Sequence, residues 1–428
     1  MLLSDVDTQR IMRIAINRKT TTYNYRKFMV ILVLNCGSSS IKYQVIDIDD
    51  SRNTLLAKGL VDRIGLPEGS LTHKPAGKTP FTLEQAIPDH TTGIRLVLDA
   101  LTNAEHGVIS SLDEVKAVGH RVAHGGEFFP ESCVVNEDVK EKIRSLFAIA
   151  PLHNPANLEG VLSIEKVLPS VPQVTVFDTS FHQTIPALNY MYALPYEYYE
   201  KYRVRKYGFH GTSHKYVARE GAKLAGIDIN NSKIITCHIG NGGSVTAVLN
   251  GKSYDTSMGF SPLDGLIMGT RGGSIDASAA TYIGAKEGMS YAELDAMLNK
   301  KSGVLGMTGL SSDMRDIDAA YNSGNEKAIL ARDAYYLRVK KFVGEYAAAM
   351  GGVDLIIFTG GVGENSSDLR RYVCRNMEFL GLHYDEEVNL RTHGDNAMLS
   401  TPESKVKVAV IATNEELVIA TDTYNLVK

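Results

Sequence analysis

Two stretches of this sequence set the terms for its fold. VILVLNCGSSSIKYQVID (30–47) and KIITCHIGNGGSVTAVLNGK (233–252) each read as strand, small polar tip, strand. Val30–Leu34 is an apolar run, and Ile41, Tyr43 and Val45 then alternate with polar partners at period two. The tips are Asn35-Cys36-Gly37-Ser38-Ser39-Ser40 and Gly240-Asn241-Gly242-Gly243-Ser244, about 200 residues apart. Small residues with free backbone N–H groups form a concave anion nest, and serine hydroxyls add donors. Either tip alone reads equally as a tight turn. Two on matching hairpins point to a nucleotide clamped from both sides and to a long-period duplication. A third nest is expected in VDLIIFTGGVGEN (353–365), where a strand breaks at Gly360, Gly361 and Gly363 and enters a helix. The helix N-terminus favours an anion or the polar edge of a nucleotide, although the segment is neither a GxGxxG fingerprint nor a Walker loop.

The rest of the chain alternates in the same way. Helical periodicity falls at 91–104, 136–150 and 151–168, strands at 114–122 and 174–177, and a strand followed by a final helix closes the chain. An α/β architecture with two related sheets follows. With 428 residues the chain is long enough for two or three domains, and 44% apolar with 22% charged residues is ordinary for a globular protein. A net charge of -4 argues against a nucleic-acid surface. No apolar run approaches the roughly 20 residues of a membrane span. Cys36, Cys133, Cys237 and Cys374 are far apart and read as reduced thiols in a cytoplasmic protein. Residues 1–28 carry six Lys or Arg but no continuous apolar core, and Asp5 and Asp7 argue against a transit peptide. Met29 is therefore expected to be the working start, with 1–28 an extension outside the fold.

Several residues could carry chemistry. His120/His124 and His210/His214 have the i,i+4 spacing of helical zinc ligands, but one pair spans a strand-to-glycine turn and the other contains Gly211 and Thr212. Most of the histidines are expected to be hydrogen-bonded structural groups. Arg121 in GHRVAHGG and Arg271 in MGTRGGS stand beside glycines, which leaves room for a bidentate anion. Asp178 and Glu415 follow apolar strands, where open α/β sheets place ligand groups. Their oxygens suit Mg²⁺ bridging nucleotide phosphates. Helix capping by Thr413 or Asn414, with Glu415 and Glu416 in the first turn, is the competing reading.

Taken in order, LVLNCGSSSIKY, GHRVAHGG, PLHNPA, VFDTSFHQTIP, YGFHGTSH, HIGNGGS, DTSMGFSPLDGL, MGTRGG, FTGGVGEN and ATNEELVIA resemble the acetate kinase family from about Val30 to the C-terminus. The resemblance implies a duplicated actin-like ATPase (ribonuclease H-like) fold with the active site between two domains. These would be 29–186, completed by the helix at 413–428, and 187–412, which binds nucleotide. It implies reversible transfer of the ATP γ-phosphoryl to acetate, giving acetyl phosphate and ADP, with Mg²⁺ (Mn²⁺ as the alternative), in a homodimer. Carried over by motif, Asn35 and Glu415 stand on the metal side. Arg121 and Arg271 grip acetate and the phosphoryl group, His210 stabilises the transition state, and Asp178 is the family's catalytic acid. The nucleotide lies against His238, Ile239, Gly240, Asn241 and Gly242, against Asp313, Met314 and Arg315, and against Gly361, Val362, Gly363, Glu364 and Asn365, with Lys42 reaching the phosphates. The acetate methyl meets Ala123, Leu152, Phe209 and Pro262, and His153 lies on the substrate side.

A carboxylate acceptor is already ionised at neutral pH and needs no general base. Asp178 is therefore expected to position metal, water or an arginine rather than to remove a proton. Two departures from the family stand out. Gly272, Ser274 and Ala277 replace its serine, aspartate and proline, and Ala123 replaces a valine of the acyl pocket, which should favour propionate. Propionate, butyrate or diphosphate-using kinases, a non-enzymatic nucleotide switch and a histidine zinc protein are the competing functions.

Overall fold

The computed structural model describes residues 28–428, so the expectation for 1–28 lies outside the described residues except for Phe28. The strands of the first sheet are β1 (Met29–Cys36), β2 (Ser40–Ile48), β3 (Asn53–Asp62), β4 (Ser70–Pro75), β5 (Phe81–Glu84), β6 (Val115–Val122), β7 (Cys133–Val134) and β8 (Gln173–Phe177). The second sheet holds β9 (Lys233–Ile239), β10 (Gly243–Leu249), β11 (Lys252–Thr256), β12 (Leu355–Thr359), β13 (Ala397–Met398) and β14 (Lys407–Val410). The spatial orders are β5-β4-β3-β2-β1-β6-β8-β7 and β11-β10-β9-β12-β14-β13. Six strands in each follow one plan: an antiparallel three-strand meander, two parallel strands, then an antiparallel edge.

The two hairpin tips correspond in detail. Three residues join β1 to β2 and three join β9 to β10. In one tip the Gly37 amide donates to the Ser40 carbonyl at 2.8 Å, and in the other Gly240 donates to Gly242 at 2.9 Å. The parallel strands β8 and β12 are buried at every residue, as expected for parallel strands covered by helices.

Four helices position the site. α1 (Asn154–Val167) packs close over β1, where a Cβ on Gly160 would lie 2.5 Å from the Cys36 sulfur. Glycine lets the helix sit there, and this close packing accounts for Cys36. Its thiol is pushed up to about 12 by burial, then by the charge of Glu159, so it is an inert packing group. α2 (Gly211–Ala225) leans on the second sheet through Val217, Ala218 and Ala222. α3 (Gly360–Asn365) follows β12 directly. α4 (Glu415–Val427) returns to the first sheet, burying Ile419, Ala420 and Tyr424 against Ile31, Val33, Ala117, Val174 and Val176. No helix among the described residues is long and apolar enough to cross a membrane.

Candidate active site

Arg121 near the end of β6 and Asp178 just past β8 meet because β6 and β8 are parallel neighbours. Arg121 Nη2 donates to Asp178 Oδ2 at 2.5 Å and Nε to Oδ1 at 3.1 Å, a bidentate pair, while Nη1 donates to Asn35 Oδ1 at 3.2 Å. Asp178 is buried. Burial works against the Arg121 charge, but Asp178, Glu415 and Glu416 outweigh it and raise its pKa. Glu415 opens α4 behind the Asn414 cap, whose side chain accepts from the Leu417 amide at 3.1 Å. Capping and site placement thus coexist there. Burial, then the charge of Asp178, pushes the Glu415 carboxyl up to about 7.

Across from this wall lies Arg271, half-buried, donating only weakly to the Pro262 carbonyl at 3.5 Å and the Met268 sulfur at 3.9 Å. Among the described residues it has no acidic partner within salt-bridge distance, and burial works against its charge. His210 sits beside it. A side-chain carbon on Gly242 would stand 3.4 Å from Arg271 Nη1 and 3.9 Å from His210 Nε2, so both groups converge on that tip. His153, whose pKa is lowered by burial and then by Arg121 and Arg271, lies within the field of both arginines.

His210 adopts a left-handed φ of 56°, immediately before α2. Strain of this kind in a non-glycine residue is tolerated where the surroundings over-determine it. Here Gly211 is pinned to the first sheet: its amide donates to the Asp178 carbonyl at 2.9 Å, and a Cβ there would lie 2.2 Å from that oxygen. Gly211 and Thr212 thus lie in the helix, and their glycine-threonine character marks its docking. Burial, then His238, Arg121 and Arg271, holds His210 neutral by lowering its pKa well below the usual range. Its ring stacks on His238 with centroids 4.3 Å apart.

A hydroxyl chain ties the rings together. Thr236 Oγ1 is 2.7 Å from His214 Nδ1, His214 Nε2 is 2.7 Å from Ser244 Oγ, and Ser244 Oγ is 2.9 Å from His210 Nδ1. With Thr236 donating to His214, His214 to Ser244 and Ser244 to His210, the proton sits on His210 Nε2; with Thr236 donating instead to the Thr246 carbonyl, 3.5 Å away, the chain reverses and Ser244 accepts from His210 Nδ1. A neutral imidazole is therefore presented beside Arg271. The other buried histidines are structural: His120 bonds Gln173 at 2.7 Å, and His182 bonds Ser253 at 2.8 Å and the Phe209 carbonyl at 2.9 Å. Among the described residues no three His, Cys, Asp or Glu side chains gather as a metal cage. Two carboxylates and Asn35 around a single arginine, one carboxyl being driven toward neutrality, do fit a hydrated Mg²⁺ that takes its other ligands from phosphate.

A cavity of about 780 Å³ opens in the second half of the chain, lined by Gly240, Asn241, Met314, Gly361, Val362 and Asn365 among others. Asp313 and Arg315 also line it, locked together by a 2.5 Å ion pair. Ile239, Gly363 and Glu364 do not line it. Ile239 is fully buried, and the Glu364 carboxylate turns inward to accept from the Gly360 and Thr413 amides at 2.9 and 3.1 Å. Lys42 is exposed and lines a smaller cavity with Lys58, Lys74 and Glu416, beside the first turn of α4, where its charge reaches Glu415. Ala123 and Phe209 are buried, Pro262 is half-buried and Leu152 is 61% exposed. The departed loop is tied down by Ser274, which donates to Asp264 at 2.6 Å and accepts from the Gly265 amide at 3.0 Å.

Sequence reasoning gave no role to Asn154 and Asn157. Asn157 bridges the Ala123 amide and the Cys36 carbonyl, at 2.9 and 2.7 Å, and Asn154 bonds both backbone groups of His124. The amides in PLHNPAN were the available signal. His90 likewise bonds the Gly37 carbonyl at 2.7 Å and fixes the first tip.

Residues 30–421 match the model of the acetokinase family. An acetate kinase of Bacteroides thetaiotaomicron is 54% identical over 400 residues, 94% of this chain and all of that one. The crystal structure of Porphyromonas gingivalis acetate kinase superposes with a TM-score of 0.90 at 48% identity, covering 94% of this chain and 100% of that one. A propionate kinase from Francisella tularensis superposes at 0.85 with 42% identity, covering 93% and 100%.

Proposed function

The chain belongs to the acetokinase family, and from that premise we propose how its own residues serve the reaction. Its fold is the two-domain, duplicated actin-like α/β fold, and its activity is Mg-dependent phosphoryl transfer from ATP to a carboxylate acceptor. The acceptor in this reading is acetate, giving acetyl phosphate and ADP reversibly, in a cytoplasmic homodimer. The domains are taken as 29–186 with 413–428, and 187–412.

One observation carries the reading. Arg271 is a half-buried cation without an acidic partner among the described residues, converging with a neutral His210 on Gly242. Such a pair leaves a space suited to a transferring phosphoryl group. Bringing an anionic carboxylate to an anionic phosphoryl group is the main obstacle, so positioned positive charge and donors carry most of the catalysis. Arg271 neutralises the phosphoryl oxygens and His210 donates through Nε2. Asp178 holds Arg121 in its bidentate geometry and aims its remaining guanidinium edge toward the acceptor. Asn35, Glu415 and Asp178 are the groups that would hold Mg²⁺, which when bound supplies charge neutralisation and alignment of the nucleotide phosphates. Adenine and ribose occupy the 780 Å³ cavity.

Initial-rate measurements with ATP and acetate, propionate or butyrate, trapping the acyl phosphate as hydroxamate, test the assignment. It fails if no acyl phosphate forms with any acid. Ala123 favours a second reading, a preference shifted toward propionate, because this buried residue has a methyl where a valine would fill the acyl pocket.

A further inference from the structure

Outside the site, a cavity of about 610 Å³ opens between the two halves of the chain, within the range of small-molecule pockets. None of the side chains assigned above lines it. One wall is a face of α2, carrying Lys215 and Arg219 one turn apart, and the facing wall is α4, carrying Asp422 and Leu426 at the same spacing. Lys252, at the start of β11, and Phe181 complete the lining used here. Charge is unevenly satisfied. Asp422 is already bound by Ser132 at 2.7 Å and approached by Lys215 at 3.5 Å. Among the described residues Arg219 and Lys252 enter no ion pair. The pocket thus combines two uncommitted cations with the apolar surfaces of Phe181 and Leu426.

Both helices that wall this cavity begin at the active site. His210 precedes α2, and Glu415 is the first residue of α4. Lys215 and Asp422 link them further along. A ligand wedged between the helices alters their separation, and their N-termini carry that change to opposite walls of the cleft.

We propose that this cavity is a second small-molecule site for a compact organic dianion, and that its occupancy is coupled to acceptor binding through α2 and α4. Two anionic groups would pair with Arg219 and Lys252 while the carbon skeleton rests on Phe181 and Leu426. Dicarboxylates and phosphorylated carboxylates share this chemistry.

The test uses the full chain with the nucleotide site saturated by Mg-ADP, titrated by calorimetry with succinate and, separately, with 3-phosphoglycerate. The comparison protein is the double variant Arg219→Ala/Lys252→Ala, whose basal turnover should match wild type. At least one probe is expected to bind wild type and to shift the acceptor KM by roughly fivefold or more. The double variant should bind that probe roughly tenfold more weakly or worse. Which probe binds separates a carboxylate from a phosphate source. Failure of both probes to bind overturns the site, as does binding that is competitive with the acceptor and unchanged in the double variant. Binding that the double variant loses, without any KM shift, overturns the coupling. Calorimetry reads the site whatever the acceptor is, so its failure is distinct from failure of the acetate assignment.

Discussion

Arg121 and Arg271 face the same cleft from opposite walls and are held by different means. Arg121 is locked by a buried carboxylate, with Asn35 on its third nitrogen. Arg271 has, among the described residues, only a carbonyl and a thioether, both distant. The first wall is a finished ion-pair network that fixes geometry. The second holds positive charge in reserve, backed by histidines kept neutral through burial and hydrogen bonding. An uncompensated cation beside a neutral donor costs stability in the empty protein and gains strength when an anion arrives.

Removing each arginine should expose this division most strongly. Arg271→Ala is expected to lower kcat at least about 10²-fold while leaving stability equal to or slightly above wild type. Near wild-type turnover would overturn its role. Arg121→Ala should lose activity as well, but it also strands Asp178, so urea denaturation should show a loss of about 3–5 kcal/mol. Equal stability of the two variants would erase the contrast between the walls.

Next in size is the hydroxyl chain. Ser244→Ala should lower kcat by about tenfold, within the range for a positioned donor. It should also change the nitrogen-15 shifts of His210, because the hydrogen-bond partner of its Nδ1 is gone. Unchanged shifts would remove Ser244 from this role. The neutral histidines also predict an acid-labile fold. Burial lowers His120, His124, His182 and His238 to about 4 from an ordinary 6.5. Between those values the unfolded chain binds more protons than the folded one, so stability falls as pH drops from 6.5 toward 4 and levels off below. Each such histidine contributes a slope of up to about 1.4 kcal/mol per pH unit. A flat urea midpoint across that window would contradict their burial as neutral groups. The smallest effect is expected from Ala123→Val, which should lower the propionate-to-acetate ratio of kcat/KM by a factor corresponding to about 1–3 kcal/mol at most.

Much of this was legible in the sequence because it is written locally. Hairpin tips, strand alternation and the break at Gly360 depend on neighbouring residues, and the elements formed where those patterns placed them. Arg121, Asp178, Arg271 and His210 were legible as candidates because glycines or strand ends surround them. The second layer was not. Asn154 reaches His124, and Asn157 reaches Ala123 and Cys36, through contacts 30 or more residues distant in sequence. Ser244, His214 and Thr236 form a chain only once β9, β10 and α2 pack together. Glu364 read as a nucleotide contact because it adjoins the glycines, yet its carboxylate caps backbone amides inside the loop. Lys42 read as a phosphate ligand by proximity in sequence, and strand alternation puts it on the α4 side of the sheet, beside Glu416 and within reach of the charge of Glu415.

The sequence by itself determined the elements, the doubled plan and the residues able to handle anions, since periodicity and side-chain chemistry are local properties. Only the tertiary structure decided which arginine is paired and which is free, and which histidines are neutral. Those states depend on desolvation and on partners that only folding brings within hydrogen-bond reach.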